Sequence, residues 1–148
     1  MSSGHFQDLI VAQQQHLVDQ VMDSDQVARE FGLSLAELQL LHLLVLQPDV
    51  RTGRELARTT GLSTSTIGGM VDRLDRLGFI ERTRSDPDRR KVIITPTSAT
   101  AAIQQRYAQG DLAQELERAL VGFDEAEVAT VLRYFRALNR QHEERRSR

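Results

Sequence analysis

The sequence predicts a mainly α-helical fold with one small β-hairpin, an α+β arrangement, on three observations. Apolar residues recur at the three-and-four spacing of helices through most of the 148 residues. That period gives way once, over residues 79–95, to two β-branched and apolar runs around a polar stretch. Capping residues before the helical runs, and glycine or proline after them, divide the helical stretches into separate elements.

In chain order, Phe6, Leu9, Ile10, Leu17, Val21, Val27, Ala28 and Phe31 predict a long first helix, mildly interrupted at Asp23-Ser24-Asp25 and stopped at Gly32. Ser34-Leu35-Ala36-Glu37 is a capping box for a second helix, apolar almost all round and therefore central, which ends before Pro48. A short helix follows from Thr52, closed by Gly61 in a position that accepts a left-handed conformation. Ser63 caps the next one, whose core face is Ile67, Met70, Val71, Leu74 and Leu77 and whose end is Gly78.

Residues 79–84 and 91–95 then read as paired strands, with Ser85-Asp86-Pro87-Asp88-Arg89-Arg90 as the turn. Thr95-Pro96 predicts a cap and first helical residue, and Ala99, Ala102, Ile103, Tyr107, Leu112, Leu116 and Leu120 carry one long helix that Gly110 bends. Asp124 and Glu127 cap a last helix with Val128, Val131, Leu132, Phe135 and Leu138 on one face, and the tail after Asn139 is expected to fray.

Composition narrows the function classes. With no cysteine there are no disulfides, thiolate metal sites or thiol redox sensors. No run approaches the roughly 18 apolar residues of a membrane span and no secretory leader is visible, so a soluble, cytoplasmic protein is expected. Net charge is −2, yet from Arg51 to Lys91 ten basic residues stand against six acidic ones. An electropositive module in an acidic frame suits a polyanionic partner.

Two short helices joined by a glycine-containing turn, followed by a charged hairpin, have the order of a winged helix-turn-helix, here from about Thr52 to Thr95. In that arrangement the second helix enters the major groove of duplex DNA and the hairpin reaches a flanking minor groove. Ser63, Thr64, Ser65 and Thr66 put hydroxyls at the positive end of the second helix, suited to phosphate or base edges, whereas plain capping needs only one of them. Arg54, Arg73 and Arg84 are the flanking cations of this surface.

Gly68-Gly69 inside the helix costs roughly 0.5–1 kcal/mol per residue relative to alanine. Two readings of that cost stand side by side: close approach of the helix backbone to DNA, or close packing by a neighbouring helix. At the hairpin tip Asp88 sits two positions from Arg90 and can orient its guanidinium for a narrow minor groove, with Arg89 between them.

Leu56-Ala57, Ser63-Thr64-Ser65-Thr66-Ile67, Val71-Asp72-Arg73-Leu74, Leu77-Gly78-Phe79-Ile80-Glu81-Arg82 and Pro87-Asp88-Arg89-Arg90 together resemble the multiple antibiotic resistance regulator (MarR) family. The resemblance extends through the flanking helices. It implies a homodimer in which residues 1–32 and 97–148 form the helical dimerisation region, with 33–96 as the DNA-binding winged helix-turn-helix. It further implies a transcription regulator, in many members a repressor released by a small molecule, on a pseudo-palindromic operator. Two departures are Gly68-Gly69, where members often carry a base-reading side chain, and Thr97-Ser98-Ala99-Thr100, which replaces a charged, glycine-containing helix start.

An apolar seam of Phe6, Leu9, Ile10 and Leu17 with Leu116, Leu120, Val128, Leu132, Phe135 and Leu138 exceeds what one elongated chain buries, which also fits a two-fold interface. No cofactor is expected. For an organic aromatic or anionic effector, His16, Arg29, His42 and Arg106 are the polar candidates, without a ligand-spaced cluster for metal. No nucleophile–base arrangement, phosphate loop or paired carboxylates point to an enzyme. The alternative function is a winged module for protein–protein or architectural contacts without a specific operator.

Overall fold

In a computed structural model that describes residues 3–85, 91–109 and 111–146, the helical period becomes α1 (Ser3–Glu30), α2 (Leu35–Leu46), α3 (Gly53–Thr60) and α4 (Thr64–Arg76). The hairpin is β1 (Ile80–Arg84) and β2 (Val92–Pro96), followed by α5 (Ser98–Gln109), α6 (Asp111–Ala119) and α7 (Glu125–Arg146). The expected fold class, mainly helical with a two-stranded wing, is what the chain adopts. It divides into two compact units, residues 1–48 and 49–148.

In the first unit α1 runs unbroken through Asp23-Ser24-Asp25 and packs on α2. The capping box at Ser34 is present: the Ser34 amide donates to Glu37 Oε2 at 2.8 Å and the Glu37 amide to Ser34 Oγ at 3.3 Å. Leu38, Leu40, Leu41 and Leu44 of α2 are buried, in accord with a helix apolar almost all round. Phe6, Leu9, Leu17, Val21 and Met22 of α1 are exposed.

In the second unit α3 packs on α4, α4 on β1 and β2 on α5. Its core is Leu56, Ile67, Val71, Leu74, Phe79, Ile80, Ile94 and Ile103, all buried. Each large aliphatic or aromatic side chain there contributes roughly 1.5–3 kcal/mol. The hairpin is antiparallel with Ile80 opposite Pro96 and Arg84 opposite Val92, and the Ser85 amide donates to the Lys91 carbonyl beyond the last pair. On the outer edge of β2 the Ile94 amide donates to the Arg51 carbonyl, so the segment before α3 serves the sheet as well.

Gly78 turns the chain from α4 into β1. Its φ of +78° is a left-handed conformation that L side chains rarely adopt, and it lets the Phe79 amide reach back to the Leu74 carbonyl at 3.0 Å. Phe79 and Leu74 are then buried together at the helix end.

Two local expectations change. Pro96 is the last strand residue and not the first of a helix, because its register partner Ile80 keeps it in the sheet. The cap moves to Thr97, whose Oγ1 accepts from the Ala99 amide at 3.2 Å and donates to the Gly78 carbonyl at 2.6 Å. The long helix expected across Gly110 is described as α5 and α6 on either side of that residue, and Gly110 itself lies outside the described residues. The tail after Asn139 does not fray before Arg146, since Arg, Gln and Glu are strong helix formers and Arg140 and Glu144 are spaced four apart.

Candidate nucleic-acid interface

Thr52 and Glu55 open α3 with a reciprocal capping box. The amides of Arg51 and Thr52 both donate to Glu55 Oε2 at 2.9 Å, and the Glu55 amide donates to Thr52 Oγ1 at 3.3 Å. The bond from the Arg51 amide, with those from Thr52, holds the Glu55 carboxyl below its usual range. Gly61, with φ of +74°, closes α3, and Leu62 and Ser63 complete the turn into α4.

Of the four hydroxyl residues at this turn, Ser63 is the cap: its Oγ accepts from the Thr66 amide at 3.1 Å. It also lies 2.9 Å from Ser65 Oγ and 2.8 Å from Thr66 Oγ1, so three of the four hydroxyls form one cluster. Ser63, Thr64, Ser65 and Thr66 are all exposed. Capping therefore accounts for Ser63, and Thr64, Ser65 and Thr66 remain on the surface where an anion or base edge can meet them.

Beyond them α4 presents Ser65, Gly68, Gly69, Asp72 and Arg76 at helical spacing, every one exposed, opposite the buried Ile67, Val71 and Leu74. A Cβ built on Gly68 or Gly69 meets no atom within 4 Å. Close packing by a neighbouring helix of this chain is thereby removed as the reason for the two glycines among the described residues. The surface they leave is open.

The cations differ in availability. Arg54 and Arg84 are exposed, on α3 and β1; Arg73 is half-buried. Arg76 was not singled out by sequence reasoning, although its spacing, four after Asp72 and seven after Gly69, places it on the outward stripe. Its Nε donates to the Asp72 carbonyl at 3.3 Å. Arg82 was passed over too, because nothing in a linear reading pairs a strand residue with a helix ten positions earlier. Its Nη1 donates to Asp72 Oδ1 at 2.7 Å and its Nε to Asp75 Oδ2 at 2.8 Å. Asp88, Arg89 and Arg90, expected at the hairpin tip, lie outside the described residues.

The four effector candidates are split between the units, His16, Arg29 and His42 in the first and Arg106 in the second. His16 is exposed, and Arg29 is ion-paired with Asp25 one turn back on α1. His42 is half-buried, and desolvation lowers its pKa, favouring the neutral ring. A shallow depression at the start of α7, lined by Phe123, Asp124, Ala126, Glu127, Thr130 and Val131, includes none of the four.

The model of the MarR family matches residues 31–91, from the end of α1 through the helix-turn-helix and into the hairpin. Through this segment the chain is similar to the MarR family. A curated relative, the helix-turn-helix-type transcriptional repressor YetL of Bacillus subtilis, is 34% identical over 80 residues, 53% of this chain and 48% of YetL. The chain spans about half the length of the curated relatives it matches.

Among solved structures, a MarR family protein from Bacillus stearothermophilus superposes with a TM-score of 0.74 at 19% identity, over 95% of this chain and 97% of that one. A mutant of Staphylococcus aureus MepR bound to an oligodeoxyribonucleotide superposes with a TM-score of 0.58 at 17% identity, covering 95% and 98%. At these identities the likeness is one of fold.

Proposed function

We propose that this chain binds duplex DNA in a sequence-specific manner and regulates transcription, as a homodimer on a pseudo-palindromic operator. The observation that carries this reading is the outward stripe of α4. It is a helix face left open by its own chain, with hydroxyls at the positive N-terminal end, two glycines in the middle and Arg76 beyond. In this reading α4 enters the major groove, Thr64, Ser65 and Thr66 meet phosphates or base edges, and the lack of side chains at 68 and 69 lets the backbone come close. Arg54, Arg73 and Arg84 supply flanking positive charge, and Arg90, oriented by Asp88 beside Arg89, enters the adjacent minor groove.

A second copy supplies the other half-site and covers the apolar residues exposed on α1, α6 and α7, among them Leu17, Leu116, Leu132 and Phe135. The reading extends to repression that a small aromatic or anionic molecule relieves, with His16, Arg29, His42 and Arg106 as candidate anchors, in a cytoplasmic protein without catalytic activity. YetL, a repressor, and the DNA-bound MepR mutant are the similar proteins that favour it.

Selection from a random pool of duplexes, followed by gel-shift titration at two salt concentrations, tests the central claim. A two-fold symmetric sequence should be enriched, and its affinity should fall steeply with salt as phosphate contacts release counterions. Arg90→Ala should weaken binding about tenfold or more, the cost of losing one well-placed guanidinium in a groove. Enrichment of no sequence would leave the winged segment as a protein–protein module. Loss of the gel shift on adding simple aromatic carboxylates would identify the effector class.

A further inference from the structure

Arg82 stands midway along β1, opposite Ile94, and reaches across to α4 with two nitrogens of one guanidinium. Both acceptors are carboxylates, Asp72 with 60% of its side chain exposed and Asp75 with 34%, while the Arg82 side chain is 37% exposed. Such a fork is something only arginine makes: Nε and Nη1 lie in one plane at fixed spacing, whereas a lysine ammonium is a single point. Exposed ion pairs add little to stability, so the bridge is not there chiefly to hold the fold.

Its placement suggests another role. The hairpin is held at its root by the hydroxyls of Thr97 and Thr100 on the carbonyls of Gly78 and Phe79, and on the β2 edge, level with Arg82, by the Ile94 amide on the Arg51 carbonyl. Those bonds fix the base of the hairpin and its β2 edge. Arg82 adds a tether on the β1 side, to the flank of α4 that borders its outward stripe. Arg84 stands two residues, roughly 7 Å, farther along the same strand. A change of angle at Arg82 is therefore carried outward to Arg84.

The second consequence is electrostatic. Asp72 follows Gly68 and Gly69 on the exposed stripe, where an uncompensated carboxylate would face the phosphates of any duplex lying against α4. Arg82 places its charge 2.7 Å from that oxygen.

We propose that Arg82 is a positioning residue for duplex recognition: by bridging Asp72 and Asp75 it sets the wing against α4 and covers the carboxylate on the helix's outward face. This rests on the DNA-binding reading above. It adds that, beyond the hairpin's root, Arg82 makes the wing and the recognition helix act as one piece.

The test uses the full chain and the duplex that the unmodified protein selects. Arg82→Gln, Arg82→Lys and the neutral triple variant Asp72→Asn/Asp75→Asn/Arg82→Gln are compared by thermal midpoint, gel-shift affinity and hydroxyl-radical footprint. All three should fold, with midpoints close to that of the unmodified chain. Arg82→Gln should lose about tenfold or more in affinity, together with protection at the flanks of the footprint. The triple variant should regain part of the affinity, since the repelling carboxylates are gone, but not the flank protection. Arg82→Lys should retain the charge and still fail to restore the flanks.

Full flank protection in Arg82→Lys, or an Arg82→Gln loss spread evenly over an unchanged footprint, would overturn the positioning role while leaving DNA binding intact. If the unmodified chain selects no duplex, the parent reading and this one fall together.

Discussion

Glu55 shows how one side chain sets the start of the helix-turn-helix. Its carboxylate accepts from the amides of Arg51 and Thr52, two donors that would otherwise lack partners at the beginning of α3. Because these bonds favour the ionised form, the folded pKa lies below the ordinary carboxylate value. The sign follows from linkage: the contribution is complete above the unfolded pKa and is lost as pH falls through the folded one. Thr52→Ala should destabilise the chain by about 1 kcal/mol at neutral pH. Glu55→Gln, which keeps an acceptor without the charge, should flatten the acid limb of the stability curve. Urea midpoints measured from about pH 7 to about pH 3.5 check this; a gap between variant and unmodified chain that does not narrow with acidity would exclude the carboxylate charge as its source.

At the scale of elements, α4 is a helix whose stability and function pull in opposite directions. Its buried side, Ile67, Val71 and Leu74, is an ordinary amphipathic stripe; its open side contains two glycines that packing does not require. Alanine at either position should therefore raise stability by roughly 0.5–1 kcal/mol, seen as a rise of a few degrees in Tm. The same methyl group should weaken duplex binding if the helix backbone sits against the groove. Gly68→Ala and Gly69→Ala, each read by Tm and gel shift, separate these effects. A variant that becomes more stable and binds as well as before would show that close approach at 68–69 is not used.

The stretch Thr97-Ser98-Ala99-Thr100, a departure from the family pattern, has an evident purpose at this scale. The hydroxyls of Thr97 and Thr100 bond the carbonyls of Gly78 and Phe79, and Thr100 is fully buried. The start of α5 is thus fastened to the turn between α4 and β1. That turn also sets where the hairpin leaves the helix-turn-helix.

For the whole molecule, the pattern of exposure is the informative feature. Leu17 and Met22 on α1, Leu116 on α6, Val121 and Phe123 in the following turn and Leu132 and Phe135 on α7 are between 47% and 79% exposed. A helical protein that leaves so many large apolar side chains in water is expected to associate through them. Light scattering of the unmodified chain should report two copies per particle, and Leu132→Glu with Phe135→Glu should shift it toward one. The same double variant should weaken binding to a symmetric duplex well beyond its effect on Tm, because half-sites are then bound singly. A monomeric unmodified chain at micromolar concentration would exclude the two-fold interface.

By itself the sequence determined the element order, the hairpin and most helix boundaries. These are set by short-range chemistry: the caps at Ser34, Ser63 and Asp124, the glycines at 61 and 78, and a period that changes from helix to strand after residue 78. It also located the surface of α4, since four adjacent hydroxyl residues and a glycine pair are visible without coordinates. Where it erred at the junction of β2 and α5, a partner distant in sequence decided. Pro96 belongs to the strand because Ile80 pairs with it, and Thr97 caps α5 while anchored nineteen residues back. Only the tertiary structure joined Arg82 to Asp72 and Asp75, turning three residues that a charge count treats as separate surface ions into one bridge. Periodicity and capping act within a few residues, but the coupling of wing to helix depends on which side chains the folded backbone brings within hydrogen-bonding distance.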